Sequence, residues 1–155
     1  MVSTLSAIRA VEERSILGSA GYLLDTNVIS EVTRKKSDGR VSAFLASIKN
    51  EPSFLSVLTI GELRHGAALK RRTDKVHADR LDAWIDAVEA SFAARVLPID
   101  LAAARLWGEL SAARPRAAID TLIAATAIVR NLTLVTRNTR DVADTGVVYV
   151  DPWKQ

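Results

Sequence analysis

Four acidic side chains lie where the sequence predicts that strands of a sheet end, or that helices beside those strands begin. Asp25 closes the apolar run in "YLLDTNVISE", and Glu62 follows the apolar run "PSFLSVLT". Asp120 opens the helix "AIDTLIAATA", and Asp141 follows "LTLVT". Carboxylate oxygens are the ligands that Mg²⁺ and Mn²⁺ prefer, and a divalent cation offsets the repulsion within a group of carboxylates. The four acids therefore predict a divalent-metal site.

Thr26 and Asn27 follow Asp25 directly, and both side chains can hydrogen-bond to a carboxylate. We expect them to hold neighbouring acids in a fixed orientation. Capping of the next helix is an alternative role for the same two side chains. Any single acid near a helix start also has a structural explanation, because the helix dipole stabilises it there. Four acids at equivalent strand-end positions favour a functional site.

The elements that must position these acids alternate between strand and helix along the chain. Strands are predicted at residues 22–25, 52–59, 95–99, 132–136 and 147–150, and helices from residue 27 and at residues 40–48, 60–72, 74–94, 101–113 and 117–130. This alternation predicts an α/β fold with a mostly parallel central sheet and helices on both faces. Since ligands collect beyond the carboxyl ends of parallel strands, such a fold would bring the acids together.

The length and composition of the chain bound its class. The chain has 155 residues, which suits one domain, and we assign residues 21–155 to that domain and residues 1–20 to an N-terminal extension. Cysteine is absent, which excludes a disulfide framework. No apolar run is long enough to cross a membrane, and the N-terminus lacks the apolar core of a secretory signal. We therefore expect a cytoplasmic protein.

The helix predicted at residues 74–94 carries an apolar stripe with helical spacing. Its members are Leu81, Trp84, Ile85, Val88 and Phe92. The stripe predicts burial against the core of the domain. Any part of it that is left exposed would contribute to a homodimer interface.

Four segments resemble, in order, the acidic motifs of PIN-domain ribonucleases: "LLDTNVISE", "TIGELRHGAALKRR", "IDTLIAATA" and "LVTRNTRDV". The closest resemblance is to the VapC/FitB-like toxins of bacterial type II toxin–antitoxin systems. Each motif alone is weak, but four in the right order are specific. The resemblance spans residues 21–153. It implies a PIN fold, a metal-dependent endoribonuclease that leaves 5′-phosphate and 3′-hydroxyl ends, a small antitoxin as partner, and a homodimer or a larger toxin–antitoxin assembly.

Carried onto this sequence, the catalytic, metal-binding acids of the family fall on Asp25, Glu62, Asp120 and Asp141. Thr136 and Asn138 match the polar residues that support the family's site. Asp144 lies close enough to compete for the fourth position, but the spacing from "TRN" favours Asp141. Val142 stands where the family often has Phe, a change that removes a packing contact but leaves the acids intact.

Basic residues accompany two of the acids, and the formal net charge of +3 permits a polyanionic partner without requiring one. One group flanks Asp141, and the other ends the helix that carries Glu62. We expect some of these residues to contact RNA phosphates, although cations at helix ends are also common on solvated surfaces. The candidates are Lys70, Arg71, Arg72, Arg137 and Arg140.

The predicted reaction is hydrolysis of RNA phosphodiester bonds by metal-activated water, which needs no catalytic histidine. That suits a chain whose only histidines, His65 and His77, lie in charged helical segments. Two alternatives stay open. A phosphatase of the haloacid dehalogenase type also has a nucleophilic Asp after its first strand, but it needs a second Asp where this chain has Asn27. A non-catalytic RNA- or protein-binding module would share the fold without turnover.

Overall fold

A computed structural model of the chain describes residues 18–155, which include residues 18–20 of the predicted N-terminal extension. The sheet has five parallel strands in the order β3-β2-β1-β4-β5. The strands are β1 (Tyr22–Leu24), β2 (Ser53–Ser56), β3 (Val96–Leu97), β4 (Thr133–Val135) and β5 (Tyr149–Val150). The helices are α1 (Thr26–Glu31), α2 (Gly39–Ser47), α3 (Val57–Arg71), α4 (Lys75–Phe92), α5 (Leu101–Ala113), α6 (Ala118–Val129) and α7 (Thr139–Val142), with 3₁₀ turns at Ala93–Arg95 and Pro152–Lys154.

Both faces of the central strands are buried, because successive residues of a strand point to opposite faces. Leu23 and Leu134 pack with Ile123 of α6 on one face. Leu24 and Val135 pack on the other face with a second cluster that includes residues of α1, α2 and the C-terminal turn. This two-sided burial explains why the strands are short, continuous apolar runs rather than alternating ones. The predicted α/β fold with helices on both faces of a parallel sheet is confirmed.

Several predicted element boundaries were wrong, and two of these differences change where an acid lies in a helix. Strand β2 ends at Ser56, not at residue 59, because the Ser56 hydroxyl accepts the backbone N–H of Leu58 and caps α3 there. Glu62 therefore lies in the second turn of α3 and not in the first. Asp141 lies in the short helix α7, where a loop was predicted. In both cases local hydrogen bonds determine where the helix lies, and the apolar pattern of the sequence does not indicate it.

The apolar stripe of α4 is part of the core. Ile85 is 1% exposed, and Trp84, Val88 and Phe92 are partly buried against the cluster around Leu24. The large hydrophobic side chains that residues 18–155 do expose lie elsewhere. Packing within the domain therefore accounts for these four side chains, whereas Leu81 is half-buried and lines a cavity beside α3. A homodimer stays a prediction. Within the described residues, no helix has both the length and the apolar character of a membrane span.

Candidate active site

The acids meet at the edge of the sheet where the strand order reverses. The chain adds β2 and then β3 on one side of β1, and it later places β4 and β5 on the other side. In such sheets the carboxyl ends of the two strands at the reversal form a ligand-binding crevice. Asp25 follows β1 and Thr136 follows β4, so both lie at this crevice. Helix α6 leads into the start of β4, which places its first turn, with Asp120, at the same edge.

Asp25 is buried, with 4% of its surface exposed, and both of its carboxylate oxygens accept hydrogen bonds. Its Oδ1 accepts the backbone N–H of Thr26 at 2.7 Å. Its Oδ2 accepts the hydroxyl of Thr136 at 2.7 Å and the side-chain amide of Asn27 at 3.2 Å. Thr136 is itself fully buried and accepts the backbone N–H of Asn138 at 3.0 Å. These bonds fix the orientation of the Asp25 carboxylate.

A pair of threonine hydroxyls connects this network to Glu62. The Thr26 hydroxyl donates to Oε1 of Glu62 at 2.6 Å, and its oxygen lies 3.2 Å from the hydroxyl oxygen of Thr59. Thr59 is fully buried and lies three residues before Glu62 in α3. Sequence reasoning missed Thr59. Its i, i+3 spacing from Glu62, which places both on one helical face, is the signal that would have indicated it.

Asn27 joins the start of α1 to the segment after β4. Its side-chain amide donates to Asp25, and its Oδ1 accepts the backbone N–H of Arg137 at 3.2 Å. The Asn27 side chain therefore holds the two sides of the crevice at a set distance. An amide in this position cannot supply the acid that a haloacid-dehalogenase-type phosphatase needs.

The charges of neighbouring acids contribute to the pKa shifts of Asp25 and Asp120. Burial raises the pKa of the Asp25 carboxyl above its usual value, and the charge of Glu62 adds to the rise, against the hydrogen bonds that favour the ionised form. Burial also raises the pKa of Asp120, to which the charges of Asp25 and Asp141 contribute while Asn138 lowers it. Glu62, Asp25, Asp120 and Asp141 therefore form one connected set of negative charges.

Asp144, the competitor for the fourth acidic position, is already engaged. Arg114 donates to its carboxylate through Nε at 2.7 Å, and Arg116 donates through a terminal nitrogen at 2.7 Å. These two guanidinium groups hold the pKa of Asp144 well below its usual range. A carboxylate bound on both oxygens by arginines is a poor metal ligand. The geometry therefore favours Asp141, whose charge acts on Asp120, over Asp144.

The four carboxylates suit a hard divalent cation in type and in charge, because such a cation prefers carboxylate oxygens and would offset the burial and the like charges that raise the pKa values of Asp25 and Asp120. Within residues 18–155, no group of three or more His, Cys, Asp or Glu side chains is already arranged to hold a metal ion.

The basic candidates for RNA contact differ in their surroundings. Arg71 pairs with Asp79 and Asp82 of α4 at 2.7 Å each, so its charge is largely committed to joining α3 to α4. The guanidinium of Arg137 lies over the ring of Trp153, 5.3 Å from the centroid, beside the Asp25 crevice. Lys70 lines a cavity that also contains Glu62. Arg72 and Arg140 are exposed.

Known proteins resemble this chain over most of its length. The PIN domain family model matches residues 22–147. Toxin FitB of Neisseria gonorrhoeae is 37% identical over 138 residues, covering 84% of this chain and 97% of that protein. VapC ribonuclease Y4jK of Sinorhizobium fredii is 36% identical over 141 residues, covering 85% and 97%. The solved structure of FitAB bound to an IR36 DNA fragment superposes with a TM-score of 0.73 at 35% identity, covering 85% of this chain and 95% of that one.

Proposed function

The chain belongs to the PIN-domain family of VapC- and FitB-like toxin ribonucleases, and on this premise we propose that Asp25, Glu62, Asp120 and Asp141 hold the divalent cation with which it hydrolyses RNA. The chain is a VapC-type ribonuclease toxin of a toxin–antitoxin system, and thus an RNA-cleaving hydrolase. The observation that carries the assignment is the placement of these acids at one edge of the sheet, where the Thr26 hydroxyl beside Asp25 donates to Glu62, and where the charges of Asp25 and Asp141 add to the effect of burial in raising the pKa of Asp120.

The chain's own residues prepare this edge for phosphodiester hydrolysis. Thr136 and Asn27 orient the Asp25 carboxylate, and Thr26 orients Glu62. Asn138 stands beside Asp120 and favours its ionised form. When bound to these acids, Mg²⁺ or Mn²⁺ supplies charge neutralisation at the phosphoryl oxygens and lowers the pKa of water. No histidine is needed for this chemistry.

An assay with purified protein and a structured RNA tests this function. We expect endonucleolytic cleavage with Mg²⁺ or Mn²⁺ present, and new ends that carry a 5′-phosphate and so ligate to an adaptor without prior phosphorylation. Hydrolysis of small phosphate monoesters alone would favour the phosphatase, which the engaged Asn27 side chain disfavours. Tight binding without cleavage would favour the non-catalytic module.

RNA binding should depend on Arg137 and Arg140, which stand beside the acidic crevice with Asn27 and Asp141. We expect the double change Arg137→Ala with Arg140→Ala to weaken RNA binding at every sequence tested, because phosphate contacts carry no base information. Each lost contact should flatten the log–log dependence of affinity on salt by about 0.7 for single-stranded RNA. Binding is measured in the Asp25→Asn background, so that cleavage does not consume the RNA.

The matched control removes two positive charges from the opposite edge of the sheet. Lys49 precedes β2 and Arg130 precedes β4, so both lie at the amino ends of the strands. The double change Lys49→Ala with Arg130→Ala should leave the salt slope near that of the parent. An unchanged affinity and slope in the Arg137 and Arg140 double variant would show that these residues do not contact the substrate.

An antitoxin is the expected partner, because an active ribonuclease would damage its own cell. Solved structures with this fold include toxin–antitoxin complexes. A cavity of about 270 Å³ lies between α1, α3 and α4 and opens beside Glu62. Its wall includes Leu63, Trp84 and Ile85, which suits the apolar side of a peptide that folds on binding. An antitoxin arginine would reach the carboxylates through charge-assisted hydrogen bonds.

Enlarging Gly66 should weaken antitoxin binding. Gly66 lines the cavity, and an added Cβ would meet no atom within 4 Å, so Gly66→Leu fills space without a backbone clash. We expect at least a tenfold loss of affinity for the antitoxin encoded next to this chain, measured by calorimetry with the purified pair. Gly108→Leu, at an equally open helical glycine away from the cavity, is the control.

Equal affinity of the Gly66→Leu and Gly108→Leu variants would place the antitoxin elsewhere. Co-expression of the antitoxin should also relieve the toxicity of the wild-type chain. If the wild-type chain is not toxic and no neighbouring open reading frame encodes a protein that binds it, the partner proposal is wrong. The result of the cleavage assay does not depend on this outcome. A homodimer, a larger toxin–antitoxin assembly and a cytoplasmic location stay predictions.

A further inference from the structure

Asp144, Arg114 and Arg116 form a compact ion cluster that we call the Asp144 clamp. Each arginine donates two hydrogen bonds to the Asp144 carboxylate, at 2.7 and 2.8 Å from Arg114 and at 2.7 and 3.0 Å from Arg116. The Arg116 side chain is 3% exposed, and its Nε also donates to the carbonyl of Leu110 at 2.9 Å. Bidentate arginine–carboxylate pairs on a buried anchor are far more rigid than ordinary surface ion pairs.

The clamp joins the two segments that carry the third and fourth acids. Arg114 and Arg116 lie in the connection between α5 and α6, and Arg116 precedes Asp120 by four residues. Asp144 lies just after α7 and follows Asp141 by three residues. Asp120 and Asp141 carry like charges, which repel each other. The clamp holds together two segments whose acids drive them apart.

We propose that Asp144, Arg114 and Arg116 are positioning residues that set the separation of Asp120 and Asp141 for one shared divalent cation. The inference rests on the proposed function, because it assigns the clamp to the same metal site. None of the three side chains is a metal ligand in this arrangement, since the arginines occupy the Asp144 carboxylate. Their effect is transmitted through the start of α6 and the end of α7.

A purely electrostatic effect and a positioning effect of the clamp predict opposite changes in cation affinity for Arg114→Gln, so this variant distinguishes them. Asp144→Asn removes a negative charge near the acids, and Arg114→Gln removes a positive one. If the clamp acted only through its field, the first change would weaken cation binding and the second would tighten it. If the clamp positions Asp120 and Asp141, both substitutions loosen the clamp and both weaken cation binding.

The experiment titrates the full chain with Mn²⁺ alone, by calorimetry, and measures kcat and KM for RNA separately. We expect Asp144→Asn and Arg114→Gln each to weaken Mn²⁺ binding by about 10- to 100-fold, the usual effect of losing a group that orients metal ligands. The value of kcat should fall while KM for RNA changes little, because the arginines beside the crevice are untouched. Asp144→Glu, which keeps the carboxylate, should recover part of the Mn²⁺ affinity.

Arg130→Gln is the matched control. Arg130 has a similar side-chain exposure (40%, against 44% for Arg114) and also pairs with an aspartate, Asp100, but it lies at the far end of α6. Its variant should bind Mn²⁺ like the wild type.

Arg114→Gln removes only the half-exposed ion pair with Asp144, and we expect it to unfold with the same cooperative transition as the wild type. Its Mn²⁺ affinity therefore tests the proposal even if a variant of Asp144 fails to fold. Tighter or unchanged Mn²⁺ binding by folded Arg114→Gln would overturn the positioning role. The Mn²⁺ readout stands if the wild type cleaves none of the RNAs tested, whereas a wild type that binds no Mn²⁺ would overturn both proposals.

Discussion

Asp25→Asn should lower the rate of RNA cleavage by about 1,000-fold or more at saturating Mg²⁺, because it removes a negatively charged ligand from the centre of the acidic set. Metal-assisted stabilisation of charge is worth several kcal/mol, and about 4 kcal/mol corresponds to three orders of magnitude. Asp120→Asn should have an effect of the same order. Rates are measured in single-turnover assays, so that product release does not mask the chemical step.

The same substitution should leave the fold intact and, without metal, as stable as the wild type or more stable at pH 7. The pKa of Asp25 is raised in the folded state, so the folded protein binds more protons than the unfolded chain between the two pKa values. Wild-type stability therefore falls as pH rises through that window. Any advantage of Asp25→Asn should be present at pH 7 in EDTA, shrink as pH falls from the raised folded-state pKa toward the unfolded pKa, and be absent below the unfolded pKa, as measured by urea denaturation.

Asp74→Asn is the control for both measurements. Asp74 is an exposed helix cap that accepts the backbone N–H of His77, and it lies beyond the C-terminal end of α3, whereas Glu62 lies in the second turn of that helix. Its variant should cleave RNA at the wild-type rate. Wild-type rates for Asp25→Asn and Asp120→Asn with metal present would contradict the assignment of the site.

Removal of divalent cations should abolish cleavage to a similar extent. We expect excess EDTA to stop the reaction and Mg²⁺ or Mn²⁺ to restore it, because the four acids otherwise repel the phosphate that they must approach. Ca²⁺ should bind without supporting comparable turnover, since it is larger and holds its ligands in looser geometry. The measurement is the cleavage rate across a titration of each cation.

Loss of the fold must be separated from loss of the cation. The hydrogen bonds that orient Asp25 and Glu62 come from protein groups, so the circular dichroism spectrum in EDTA should match that of the metal-loaded protein. Cleavage that persists in excess EDTA would point to a mechanism without metal or to a contaminating nuclease.

The sequence alone determined the α/β fold and the four candidate acids. Both follow from local signals: short apolar runs mark strands that are buried on both faces, and an acid that ends such a run must lie at the edge of the sheet. The family resemblance rests on the same segments. Asp25 follows a strand, and Glu62, Asp120 and Asp141 lie in the helices beside the carboxyl ends of the strands, which are adjacent in space in a parallel sheet.

Only the tertiary structure determined which polar groups form hydrogen bonds or ion pairs with those acids and with their neighbours. Residues 57–59 are apolar or β-branched and were predicted as strand, yet the Ser56 cap places them in α3 and brings Thr59 beside Thr26. Asp144 was a possible ligand until Arg114 and Arg116, about 30 residues earlier, were found on its carboxylate. Arg71 was a candidate for RNA contact but pairs with α4. These roles depend on hydrogen bonds and ion pairs between distant segments, whose partners are set by packing and not by the local pattern of apolar and polar residues.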